Sequence, residues 1–138
     1  MVQSKNEGYL GNTLVKRAGV ETQYTEVEFQ EYLKCSKDPI HFIQNYCSII
    51  SLDEGLVKFD LRGYQESLIK HYDENRFNVV LASRQSGKSI TSCAYLLWYL
   101  LFTPEVTVAV LANKGVIARE MISRIVTMLE SVPFFLQP

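Results

Sequence analysis

NVVLASRQSGKSITSCAYLLWYLLF, residues 78–102, is the stretch whose reading decides the fold. It opens on Val79-Val80-Leu81-Ala82, a short apolar run rich in β-branched side chains, the pattern of a strand buried on both faces. It closes on Ser89 to Phe102, an apolar run that reads as a long buried helix. The loop between them, Ser83 to Ser89, ends Gly-Lys-Ser. A strand, such a loop and a helix are the setting of the phosphate-binding pattern G-x-x-x-x-G-K-[ST]. Ala82 stands where the pattern begins with glycine, which ordinary backbone angles permit. Gly87 is the glycine that is hard to replace, because the chain must approach the phosphates closely there.

The chemistry follows from the residue types. Backbone N–H groups from about Gln85 to Ser89, with Ser83, Arg84 and Ser86 completing the loop, converge on an anion at a helix N-terminus. The Lys88 ammonium reaches the β- and γ-phosphates of ATP, and the Ser89 hydroxyl is a ligand for Mg²⁺. Arg84 has two readings. Its guanidinium stabilises charge at the γ-phosphate, or it is a solvated loop residue paired with a nearby carboxylate. With Gly or Ala first, the pattern arises by chance on the order of once in a hundred sequences of this length. The flanking strand and helix are independent support.

Upstream, Leu61-Arg62-Gly63-Tyr64-Gln65 adds a second element. A glutamine amide donates to N7 and accepts from N6 of adenine at once, the pairing used to read adenine in DNA. Tyr64 either stacks on the base or belongs to the core.

The remaining segments extend the pattern in both directions. Thr103-Pro104 breaks the long helix. Val106 to Ala112 (VTVAVLA) reads as a second buried strand, and Val116 to Leu129 as an amphipathic helix ending at Val132-Pro133. This makes a right-handed βαβ unit plus one helix. Two parallel strands are fewer than a covered sheet needs, so the expected fold is an incomplete α/β parallel sheet built around a P-loop. Lys114, at the end of the second strand, contacts a DNA phosphate or begins a helix in solvent. On the N-terminal side, residues 1–24 read as a flexible arm that orders only against something else. Residues 25–60 read as a helical lobe with a hairpin, and residues 61–138 as the first half of an ATPase domain. In the lobe, Thr25-x-x-Glu28 has capping-box spacing, and Asp38-Pro39 starts a second helix. Ser48 to Leu52 and Leu56 to Phe59 flank Asp53-Glu54-Gly55 as a hairpin, and Leu61 to Glu74 returns to helical spacing.

Composition bounds these readings. A net charge of −1 over 138 residues gives no bulk signature of nucleic-acid binding, although a local basic surface is compatible with it. The most apolar run is shorter than the roughly 20 residues that a membrane span needs. With no signal peptide, no membrane partner is expected. Cys35, Cys47 and Cys93 lie far apart, match no metal-ligand spacing, and read as packed thiols of a reducing compartment.

Taken together, LRGYQ, NVVLASRQSGKS, VAVLANKG and the closing FLQP resemble the large terminases of tailed bacteriophages, most nearly those of T-even-like myophages and their cyanophage relatives. The resemblance is most specific from Asp38 to Pro138. It implies an incomplete P-loop NTPase sheet of the ASCE, RecA-like kind, the first part of an ATPase joined to a C-terminal nuclease domain. The motor moves double-stranded DNA into a procapsid with a portal protein and a small terminase subunit as partners, works as a ring homo-oligomer, and sits in the host cytoplasm at the portal. By position, Tyr64-Gln65 resembles the adenine motif, Ser83 to Ser89 the Walker A loop, and Arg84 the arginine used in cis at the γ-phosphate. The family's strand ending in Asp-Glu (Walker B), its coupling motif and its nuclease lie further downstream. Residues 1–138 are therefore expected to bind ATP weakly and to hydrolyse it negligibly. Two rivals stand beside this reading. A superfamily-two helicase shares a glutamine motif before the loop. A non-catalytic split-gene module would dock a separately encoded remainder through an open sheet edge.

Overall fold

The computed structural model of the protein describes residues 8–51 and 53–138. Residues 1–7 of the expected arm, and Leu52 at the end of the expected first hairpin strand, lie outside the described residues. Five α-helices and a two-stranded antiparallel sheet make a mixed helix and strand architecture.

The first two helices begin where local chemistry starts them. Helix α1 spans Glu26–Lys37. The Thr25 hydroxyl accepts from the Glu28 N–H at 3.3 Å, and the Glu28 carboxylate accepts from the Thr25 N–H at 2.8 Å. The predicted capping box is thus present, and it satisfies two N–H groups that helix geometry leaves without partners. Helix α2, Pro39–Tyr46, starts on Asp38, whose carboxylate accepts from the N–H groups of Ile40 and His41 at 3.0 and 3.1 Å. The hairpin follows as β1, Ser48–Ser51, and β2, Gly55–Lys58, in the register Ile49 opposite Val57 and Ile50 opposite Leu56. Gly55 takes φ +74° to turn it.

Helix α3 is Gly63–Glu74, α4 is Lys88–Phe102 and α5 is Gly115–Ser131, close to the segments read from periodicity. The core forms around α4, which packs on α2, α3 and α5. Its Thr91, Cys93, Ala94, Leu97 and Trp98 are buried among Cys35, Phe42, Ile43, Ile69, Ile125 and Met128. The Trp98 indole N–H donates to the Cys35 carbonyl at 2.8 Å, tying α4 to the last turn of α1. Between α3 and α4, the Tyr72 and Ser92 hydroxyls share a hydrogen bond of 2.9 Å. Burial raises the Tyr95 hydroxyl to a pKa of about 12, with the Asp73 carboxylate beside it adding to the effect. Burial likewise pushes up the thiols of Cys35, Cys47 and Cys93, all of them free.

The chain ends fold together through one glutamine. Gln137 is buried, and its side-chain amide donates to the carbonyls of Leu14 and Val132 at 3.1 and 2.7 Å. Its Oε1 accepts from the Lys16 N–H at 2.7 Å. Asn12 donates to the Glu130 carboxylate at 2.6 Å, so residues 12–16 lie against α5 and the 3₁₀ turn Phe134–Leu136.

The expected strands 79–82 and 106–112 differ from expectation. Neither forms a regular strand: no backbone hydrogen bond joins either to another segment among the described residues, and the hairpin is the only sheet there. No parallel sheet is present among those residues. Val79 and Leu81 are fully exposed, whereas Val80 between them is 39% exposed. In the second segment Val106, Val108 and Val110 are half-buried and alternate with exposed Thr107, Ala109 and Leu111. The period of two is that of a strand with one face leaning on helices. Strand pairing itself needs a neighbouring backbone, and residue pattern alone does not supply one.

Leu97→Ala is expected to cost about 2–5 kcal/mol in urea unfolding, because it leaves a cavity at the centre of the helical core. Leu81→Ser is expected to change stability by no more than about 0.5 kcal/mol while reducing self-association in light scattering. Equal losses from the two substitutions would contradict this placement of the core.

Candidate nucleotide-binding site

The loop from Ser83 to Gly87 owes its shape to two left-handed residues. Gln85 has φ +58° and Gly87 φ +77°. Glycine adopts this region freely, but at a non-glycine residue it costs of order 1–3 kcal/mol and persists only where the surroundings enforce it. Gly87 is the N-cap of α4 and carries no side-chain cap. The N–H groups of the first turn, Lys88 to Ile90, therefore face the loop at the positive end of the helix dipole.

Internal hydrogen bonds close the ring. The Ser83 carbonyl accepts from the Ser86 hydroxyl at 2.9 Å and from the Lys88 ammonium at 3.0 Å. The carbonyl of Gly87 accepts from the N–H and hydroxyl of Thr91 at 3.0 and 2.8 Å, anchoring the cap to the second turn of α4. Ser89 sits in the first helical turn, half-buried. Arg84 is exposed on the loop, and no ion pair or hydrogen bond engages its side chain among the described residues. Pairing with a nearby carboxylate, one of its two readings, is thus not seen.

Helix α3 holds the loop from the other side. The Tyr64 hydroxyl donates to the Ser86 carbonyl, and the ring is 47% exposed. Of the two readings of Tyr64, core packing is therefore not what is observed. Its hydroxyl fastens the loop and its ring stays open to solvent. Gln65 is only 4% exposed, and its Oε1 accepts from the Arg62 N–H at 2.9 Å, capping α3. A Cβ placed on Gly87 would come within 2.7 Å of the Gln65 Nε2. Backbone conformation favours glycine at position 87, and an added Cβ would also make the end of the Gln65 side chain give way.

The structure brings Tyr64, Gln65, Gln85, Ser86 and Gly87 to one cleft of about 220 Å³, closed off by Ile49, Phe59 and Ile90. Larger hollows of about 620 and 660 Å³ lie between α3 and α4 and within residues 8–18. Neither includes a residue of the loop. Lys114 is exposed at the start of α5, away from this cleft's lining. The chain's Asp-Glu pairs occupy the hairpin turn (Asp53-Glu54) and the end of α3 (Asp73-Glu74), and neither ends an apolar strand. Two features escaped the sequence: the left-handed Gln85 and the tyrosine clamp. A residue in a loop carries no periodic signal of its φ angle, and a hydroxyl-to-carbonyl bond between residues 64 and 86 is a tertiary event. No protein-family model matches this chain.

Gly87→Ala is expected to destabilise by about 1–3 kcal/mol, from strain at positive φ together with the collision with Gln65. Gly55→Ala, where φ is also positive but no atom lies within 4 Å of the added carbon, isolates the strain alone. In a double-mutant cycle, Gln65→Ala should recover part of the Gly87→Ala cost. Full additivity would show that the amide does not press on position 87.

Proposed function

We propose that the chain is the ATP-binding portion of a DNA-packaging motor of the large-terminase kind, with nucleotide held at Ser83 to Ser89. The observation that carries the nucleotide reading is the strained ring at the α4 N-terminus, with Gln85 and Gly87 left-handed and Lys88 folded onto it. Such a ring presents N–H groups and a cation to an anion. The assignment to a packaging motor rests on the resemblance of LRGYQ and ASRQSGKS to that family, and Gln65 lying against Gly87 supports reading the two motifs as one site.

The residues fit phosphates of ATP. The glycine cradle is one that a Cβ would fill, which suits a loop that lets a ligand come close to the backbone. In this reading the loop N–H groups hold the phosphates, and Lys88 exchanges the Ser83 carbonyl for phosphate oxygen. Ser89 offers its hydroxyl to Mg²⁺. Arg84, unengaged at the loop, is available to the γ-phosphate. Gln65 faces the base side, where its amide tells adenine from guanine. ATP with Mg²⁺ supplies the phosphoanhydride whose cleavage powers translocation of double-stranded DNA in such motors. Residues 79–82 and 106–112 are, in the same reading, parallel strands of the nucleotide-binding sheet. Their β-branched, apolar composition supports this. No helix among the described residues is long and apolar enough to cross a membrane, in keeping with a motor that works on DNA in the host cytoplasm.

In this reading the strand ending in Asp-Glu that would position the attacking water lies downstream of these residues. These 138 residues are expected to bind a fluorescent ATP analogue in the presence of Mg²⁺ and to show negligible phosphate release. Lys88→Ala should weaken binding about tenfold or more, the range for a charge-assisted hydrogen bond. Gln65→Ala should erode the preference for ATP over GTP by a similar factor. Unchanged affinity in Lys88→Ala would sink the nucleotide reading. Turnover at the rate of a complete motor would sink the reading of the site as hydrolysis-incompetent.

A further inference from the structure

Away from the loop, the break at Asp38-Pro39 turns α2 back across α1 and brings together three side chains that lie apart in sequence. Glu31 and Cys35, one turn apart on α1, meet His41 of α2, and one ligand atom from each lies within 4.8 Å of the others. The Glu31 Oε1 is the hub. It stands 2.6 Å from the His41 Nε2, 3.8 Å from the Cys35 Sγ and 3.0 Å from the Tyr46 hydroxyl. We propose that Glu31, Cys35 and His41 form a binding site for a thiophilic divalent cation of the zinc class, which staples α1 to α2.

The chemistry of the donors selects the ion. Thiolate, imidazole and a single carboxylate suit Zn²⁺ and Co²⁺, whereas Mg²⁺ and Ca²⁺ require sets composed of oxygen. Metal bonds of about 2.0–2.3 Å in tetrahedral array put ligand atoms about 3.3–3.5 Å apart. The Cys35–Glu31 spacing is already near this, and the His41–Glu31 contact has to open by roughly 0.7 Å. The site is buried at one end and accessible at the other. Cys35 is wholly buried, while the His41 and Glu31 side chains are 18% and 28% exposed, which leaves a route for the ion and a position for water or the Tyr46 hydroxyl as fourth ligand.

The supporting shell is also in place. The Trp98 indole fixes the Cys35 backbone. The Asn45 side-chain amide lies 3.2 Å from the His41 Nδ1. On binding, the thiol proton passes to buffer and the ring hydrogen moves from Nε2 to Nδ1, which frees Nε2 for the ion, while the Asn45 amide stays on the His41 carbonyl, to which it donates at 2.8 Å. Glu31 then neutralises part of the cation's charge in place of accepting from His41.

The test is a cobalt titration of the full 138-residue chain, reduced and free of nucleotide, followed by absorption. One Co²⁺ per chain is expected, with a thiolate-to-cobalt charge-transfer band in the near ultraviolet that one equivalent of Zn²⁺ removes. Cys35→Ser should abolish the band and Cys93→Ser should keep it. His41→Ala should weaken binding about tenfold or more. The unaltered chain decides the question without relying on the stability of any variant. Absence of the band at saturating cobalt overturns the proposal, and so does a band that survives Cys35→Ser.

Discussion

Helix α4 has to be covered on nearly every side, and that requirement organises the rest of the molecule. From Cys93 to Phe102 its residues are apolar or aromatic throughout, so α2, α3 and α5 pack on it, and α1 is drawn to its flank by the Trp98 indole. Burying this one helix supplies the main apolar term that opposes chain entropy. It also fixes the N-terminal end of the helix in space, where the first-turn N–H groups lack partners within the helix. The candidate site is that end.

The loop therefore takes its stiffness from the core. Thr91 and Ser92 bond back to the carbonyls of Gly87 and Lys88, and Ser92 also meets Tyr72 of α3. From that same α3, Tyr64 reaches the Ser86 carbonyl and Gln65 approaches Gly87. A base held by Gln65 and phosphates held by the loop would thus be read by two helices whose relative position is set by buried contacts. Moving either helix disturbs both halves of the site. This coupling through packed elements gives a physical reason for the two motifs to occur together.

Much of this was legible from residue pattern where the deciding contacts are local. The Thr25 box, the Asp38-Pro39 start, the hairpin at Asp53-Glu54-Gly55 and the extents of α3, α4 and α5 all depend on neighbours a few residues away. The loop could be located for the same reason, since Gly-Lys-Ser and its flanks are contiguous. Legibility failed where partners are distant. The meeting of Glu31 with Cys35 and His41 gave no signal, because it forms only when α2 folds back and carries His41 to Glu31. The clasp of Gln137 on residues 14–16 gave no signal either, because a lone glutamine near the end of a chain looks the same whether it is buried or solvated.

The two apolar segments around α4 mark the boundary most clearly. Residues 79–82 and 106–112 read in sequence as buried strands, yet 79–82 are exposed, 106–112 are half-buried only at alternate residues, and neither pairs with anything among the described residues. By itself the amino-acid sequence determined helix starts and stops, the hairpin and the position of the loop before α4, because these follow from sterics and hydrogen bonds within a few positions. Only the tertiary structure decided which face of each segment is covered, that Gln85 is left-handed, that Tyr64 clamps the loop, and that Gln65 sits against Gly87. Those outcomes depend on contacts between residues far apart in the chain, and packing α3 against the buried α4 is what brings them together.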